Sequence, residues 1–83
     1  MTMRYMVIEK FRNGAEPVYE RFNTHGRMMP LGLEYIDSWL TEDKTVCYQL
    51  MEAKDPDLFK AWTDKWADLV DFEIIPLATE RKP

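Results

Sequence analysis

Glu9 and Asp37 are carboxylates set into otherwise apolar, strand-like runs. A carboxyl in such surroundings shifts its pKa toward neutrality, where it can take up and release a proton. Cys47 and Gln49 interrupt a further run of the same kind, and Tyr5, Tyr35 and Trp39 supply aromatic surface. Together these side chains describe a mostly apolar pocket with a few polar groups, suited to a small, largely apolar molecule. Glu9 and Asp37 are its candidate catalytic residues, and the remaining five are candidate ligand contacts. The competing reading is plainer: a carboxylate near a strand end is solvated or bonds across an interface, because buried carboxylates need a partner.

Arg27 is the candidate anion seat, since a guanidinium forks onto carboxylates. Its alternative is an ion pair with one of the fifteen acids of the chain. His25, the single histidine, falls at an expected helix C-terminus, where it serves as a dipole-compensating cation or a partly buried stripe residue. Cys47 in apolar surroundings is an inert thiol. Met28, Met29 and Met51 either line an adaptable pocket or fill gaps in the core. The chain contains no phosphate-cradling glycine loop, no nucleophile elbow and no paired His or Cys at metal spacing. No cofactor and no metal are therefore expected. An enzyme built from these residues would work by general acid–base chemistry, or by letting a reactive substrate meet oxygen in a shielded pocket.

Eleven Lys and Arg against fifteen Asp and Glu give a net charge of −4, with no basic cluster to displace counterions from a phosphate backbone. Nucleic acid is a disfavoured partner. No apolar run approaches the ~20 residues that span a bilayer, and the N-terminus has no secretory h-region, so no membrane association is expected. The single cysteine agrees with a reducing, cytoplasmic setting. A chain of 83 residues makes one domain, with an expected ordered core at about 3–78. Such a small domain buries only roughly 60% of its unfolded surface, and without disulfides a homodimer is the remaining common source of stability.

The elements that must position these groups follow from pattern. Residues 4–11 read as a strand with apolar groups on both faces, closed by the turn signal Asn13-Gly14. Pro17 suits the first position of a helix carrying Val18, Tyr19, Phe22 and His25, and Gly26 stops it in a left-handed cap. Residues 27–32 are irregular. Strands are expected at 33–40 and 45–51, joined by a three-residue loop at 42–44 that sets Thr41 opposite Thr45 and Leu40 opposite Val46. That register also sets Tyr35, Asp37 and Trp39 opposite Met51, Gln49 and Cys47. Asp55-Pro56-Asp57 is an N-cap acid, a proline at the first helical position and a dipole-compensating acid, opening a helix with the stripe Leu58, Phe59, Trp62, Trp66 and Leu69. Residues 72–77 form a strand whose Pro76 favours a sheet edge, and the tail at 79–83 is expected to be loose.

The order β-α-β-β-α-β predicts an α+β, ferredoxin-like fold: a four-stranded antiparallel sheet in order 4-1-3-2 with two helices on one face. The helices are expected to cover Met6, Ile8, Val46, Tyr48 and Leu50. The opposite face, with Tyr5, Val7, Phe11, Tyr35, Trp39, Cys47 and Met51, is then left to pack against a second copy. The runs Arg4-Tyr5-Met6-Val7-Ile8-Glu9, Gly26-Arg27-Met28-Met29-Pro30-Leu31-Gly32-Leu33 and Asp37-Ser38-Trp39 resemble an uncharacterised family of short bacterial proteins in the dimeric α+β-barrel superfamily. The resemblance extends through Asp71-Phe72-Glu73 and implies a homodimer with a cavity between its two sheets. That wider superfamily includes cofactor-free monooxygenases, muconolactone isomerase-like enzymes, haem proteins and ligand-binding domains, so it implies a fold rather than an activity.

Overall fold

The elements β1 (Met3–Phe11), α1 (Ala15–His25), β2 (Leu33–Leu40), β3 (Val46–Ala53), α2 (Leu58–Thr63) and β4 (Val70–Pro76) follow one another along the chain. They come from a computed structural model that describes residues 2–78, so the tail expected to be loose at 79–83 lies outside the described residues. The strands form one sheet in the order β2-β3-β1-β4, with every neighbouring pair antiparallel. This is the α+β, ferredoxin-like arrangement predicted from element order, with β3 inserted between β1 and β2. Pro76 ends β4, an edge strand, where its missing N–H interrupts no central ladder.

Helix α1 starts two residues before Pro17 rather than at it; as the third residue the proline still lies within the first turn, where backbone N–H groups have no intrahelical acceptor. Gly26 ends it at φ 69° with its N–H on the Phe22 carbonyl at 2.8 Å; its ψ of −160° swings the chain into an extended exit rather than a left-handed helical one. Asp55 is not the N-cap expected of it: α2 begins at Leu58 after Asp57, which makes no side-chain cap bond, while the Asp55 carboxylate accepts the Asp57 N–H at 2.9 Å in the turn that precedes the helix. Successive i→i+3 bonds, Leu58 N–H to the Asp55 carbonyl and Phe59 N–H to the Pro56 carbonyl, lead into α2. The expected long helix is shorter than its stripe: α2 stops at Thr63, and hydrogen-bonded turns carry Trp66 and Leu69 onward to β4. Arg21 fastens α1 to that region, with two bonds of 2.7 Å to Asp68 and one of 2.9 Å to the Lys65 carbonyl.

The β2–β3 hairpin departs from the expected register. Thr41 donates its N–H to the Val46 carbonyl at 2.9 Å, so the loop holds four residues and Leu40 pairs with Cys47 rather than Val46. Asp43 stabilises the longer loop by accepting from both the Thr41 and Thr45 hydroxyls at 2.7 Å, while Lys44 takes φ 61°. The pairing then shifts between Tyr35 and Asp37, leaving Ile36 as the extra residue of a bulge. Tyr35 consequently pairs with Met51 as expected, whereas Asp37 pairs with Leu50 and Trp39 with Tyr48. Because the bulge resets the alternation, Tyr35 and Ser38 share one face, and their hydroxyls lie 2.7 Å apart.

The face covered by the helices is the reverse of the one expected. Tyr5, Val7, Phe11, Met51, Ala53, Leu33 and Val70 are buried in a single cluster with Val18, Phe59, Trp62 and Trp66. Tyr5 meets Phe59 edge-on at 4.9 Å between ring centroids. Met6, Ile8, Val46, Tyr48 and Leu50, expected beneath the helices, are only half-buried or exposed, and Trp39 beside them is 52% exposed. The charged residues show the reason. Arg4 and Lys10 share a face with Met6 and Ile8 on β1, and Asp71 and Glu73 fall on that same side of β4, opposite Val70, Phe72 and Ile74, so only the Tyr5–Val7–Phe11 face can be enclosed without burying a row of charges. Each large side chain enclosed there contributes about 1.5–3 kcal/mol through burial.

Candidate functional site

Glu9 is the one carboxylate on the enclosed face of β1, flanked in its ladders by Cys47 of β3 and Phe72 of β4. It is 9% exposed and opens on a cavity of about 210 Å³ between the sheet and the helical layer. Val18, Tyr19 and Phe22 of α1 form one wall, Trp62 and Trp66 another, and Phe11, Leu40, Val70 and Phe72 complete the apolar lining. The polar groups are Glu9, Cys47, Gln49, Ser38 and Arg27. The cavity therefore lies within one copy of the chain, on the helix side of the sheet. The between-sheet position expected for these residues is corrected by the face they occupy.

Burial pushes the Glu9 carboxyl from an ordinary 4.5 up to about 7, against the opposing pull of a hydrogen bond from Cys47 and the positive charge of Arg27. Among the described residues no cation stands within ion-pair distance of it. Cys47 moves up to about 11, through burial first and then the charge and hydrogen bond of Glu9, so it stays a thiol at neutral pH. The Tyr19 hydroxyl is also raised, by burial and then by the charges of Cys47 and Glu9. Glu9 is thus the group of this cavity that changes charge near neutrality. Gln49, 5% exposed, donates its amide to the Met51 sulfur at 3.2 Å.

Arg27 enters from the irregular connection after α1. Its guanidinium lies over two rings, 3.7 Å from the Tyr35 centroid and 5.0 Å from that of Phe22. Its backbone is pinned as well: the indole N–H groups of Trp62 and Trp66 both donate to the Arg27 carbonyl at 3.0 Å. The four-residue spacing of these tryptophans places both indoles on one side of the helical segment, where a single carbonyl with two lone pairs serves both.

The structure brings together Glu9, Arg27, Cys47 and Gln49 in the cavity lining, with Tyr35 stacked on Arg27 at the margin. Three candidate residues lie elsewhere. Asp37 is exposed beside the bulge, with its carboxylate on the Ser38 N–H at 2.8 Å, and Trp39 stands on the open face of the sheet. Tyr5 is on the enclosed face but packs into the core against Phe59, outside the lining. Met51 is fully buried and Met28 and Met29 pack against the core, so the methionines fill gaps rather than line the cavity. His25 is exposed at the end of α1. Ser38 and the aromatic wall of Tyr19, Phe22, Trp62, Trp66 and Phe72 were not expected as site residues. The stripes of the two helical segments carried that information, because a stripe that faces a sheet also faces any cavity above it.

Among the described residues, no three of His, Cys, Asp and Glu converge as metal ligands, and no helix is long and apolar enough to cross a membrane. No curated protein and no solved structure matches the chain. A family profile matches residues 3–82, nearly the whole sequence, and through it the chain belongs to the family described as Domain of unknown function (DUF3303).

Proposed function

We propose that the protein binds a small, largely apolar molecule in the cavity between its sheet and its helical layer. The observation that carries this is a carboxyl raised to about 7, without a cation partner among the described residues, lining an aromatic-walled space of about 210 Å³. Packing alone would fill such a space with side chains and leave no ionisable group beside it. In amide-resolved NMR titrations with benzoate and benzamide, shifts are expected at Glu9, Cys47 and Gln49 and at the indole N–H groups of Trp62 and Trp66. If neither compound moves these signals at millimolar concentration, or if the shifts fall on the open face, the cavity is not a binding site.

General acid–base catalysis is a second reading, favoured by the same near-neutral carboxyl, because a proton carrier works best with a pKa close to the ambient pH. Glu9 would be the acid–base residue, with Asp37 too far outside the lining to share the work.

The open sheet face supports a homodimer. Met6, Ile8, Leu50, Tyr48, Trp39 and Ile75 give it an apolar centre, rimmed by Arg4 and Lys10 and by Glu52 and Glu73. A two-fold pairing of this face with itself encloses the apolar centre and can set unlike rim charges opposite each other. Light scattering should give a dimer mass at micromolar concentration, and Trp39→Lys should give a folded monomer. A monomeric wild type overturns the pairing but leaves the cavity untouched, since the two lie on opposite faces.

A further inference from the structure

We infer that the cavity takes a small apolar monocarboxylate, its carboxylate on the N–H edge of Arg27, its body among the aromatic walls, and Glu9 beside it in the protonated form. This rests on the cavity being a small-molecule site, and it names the class of molecule.

Arg27 stands apart from the other arginines among the described residues. Arg4, Arg12 and Arg21 each pair with a carboxylate, of Glu52, Asp71 and Asp68 respectively. Arg27, the one that lines the cavity, has no such partner among the described residues, in a chain with fifteen acids. The guanidinium lies over the Tyr35 and Phe22 rings, and among the described residues none of its N–H donors makes a hydrogen bond, so they remain to grip a carboxylate. Two indole bonds to the Arg27 carbonyl fix where that edge can reach, so the donors are placed before any ligand arrives. A single negative charge suits the site better than a dianion. Among the described residues Arg27 is the only cation that lines the cavity, and Glu9 shares it.

Glu9 and Arg27 line the same cavity without meeting at ion-pair distance. An anion seated on Arg27 would be repelled by an ionised Glu9, so binding retains the proton on Glu9 or takes one up. The other titratable groups facing Glu9 are Tyr19 from α1, Cys47 from β3 and Arg27 itself. The segment from α2 to β4 presents only Trp62, Trp66, Val70 and Phe72, and β2 presents Ser38 and Leu40.

Calorimetry with benzoate and its neutral isostere benzamide tests the inference. Benzoate should bind at least roughly tenfold tighter than benzamide at pH 6. Its affinity should fall roughly tenfold between pH 6 and pH 8, as the protonated fraction of Glu9 falls, while that of benzamide stays level. Arg27→Gln should erase the preference for benzoate, Arg27→Lys should keep part of it, and Glu9→Gln should remove the pH dependence. The Arg27 variants retain the carbonyl on which both indoles rest, so they are expected to fold. Equal binding of benzoate and benzamide at pH 6 overturns the inference and leaves the small-molecule site standing. Binding of neither overturns the site as well.

Discussion

Replacing Glu9 by glutamine is expected to stabilise the protein at pH 8 by about 3 kcal/mol and to leave it nearly unchanged at pH 4. The sign follows from which state holds the proton. The Glu9 carboxyl titrates near 7 when folded and near 4.5 when the chain is open, so between these values the folded state binds more protons. Stability contributed by this group is therefore full below about 4.5, falls as pH rises toward 7, and is lost above it. Glutamine has nearly the same shape and never ionises, so the variant escapes that loss. For a domain of this size, each kcal/mol moves the unfolding midpoint by roughly 4–8 °C. Thermal melts of both proteins from pH 4 to pH 8 should start together and diverge as the wild type loses stability. Curves that stay parallel would show that Glu9 titrates like a solvated carboxylate, and both the acid–base reading and the pH-coupled binding would fall with it.

That such a carboxylate should lie in the helix-covered interior was not read from its neighbours in sequence. Alternation along β1 divides Tyr5, Val7, Glu9 and Phe11 from Arg4, Met6, Ile8 and Lys10, but it does not say which set the helices cover. Glu9 and Gln49 make the first set look too polar for a core, and this pointed to the wrong face. The charge pattern of the whole sheet points correctly: Arg4, Lys10, Glu52, Asp71 and Glu73 all fall on the other side. Element order, strand order and the proline edge were legible because each depends on local signals, such as Asn13-Gly14, Gly26 and Asp55-Pro56-Asp57. The four-residue hairpin loop and the bulge at Ile36 were not, since each depends on pairings between segments and together they decide that Ser38, not Asp37, faces the cavity. Arg27 could be named as a candidate from residue type alone. That it has no carboxylate partner among the described residues became visible only with the partners of Arg4, Arg12 and Arg21 in place.

Trp62→Ala is expected to destabilise the domain by about 3–5 kcal/mol, and the pair Trp62→Phe with Trp66→Phe to reveal why both indoles are present. Trp62 is 2% exposed, packs on Phe72 at 5.2 Å and on Phe59 at 6.4 Å between ring centroids, and ties the helical layer to the connection at Arg27. Truncating a buried tryptophan costs about 3–5 kcal/mol. A domain this small has a total of roughly 4–12 kcal/mol, so the loss removes at least about a quarter of its stability and, at the low end of that range, all of it. Phenylalanine keeps much of the apolar burial and deletes the N–H. Either single Trp→Phe change leaves the Arg27 carbonyl with the other indole at 3.0 Å, so each should cost only about 1 kcal/mol. The double variant removes both donors, and its cost should exceed the sum of the singles by about 1–2 kcal/mol, measured by urea unfolding. A strictly additive cycle would mean that solvent already serves this carbonyl. The same double variant should also weaken benzoate binding more than benzamide binding, because the side chain of Arg27 is aimed from the backbone that the two indoles hold.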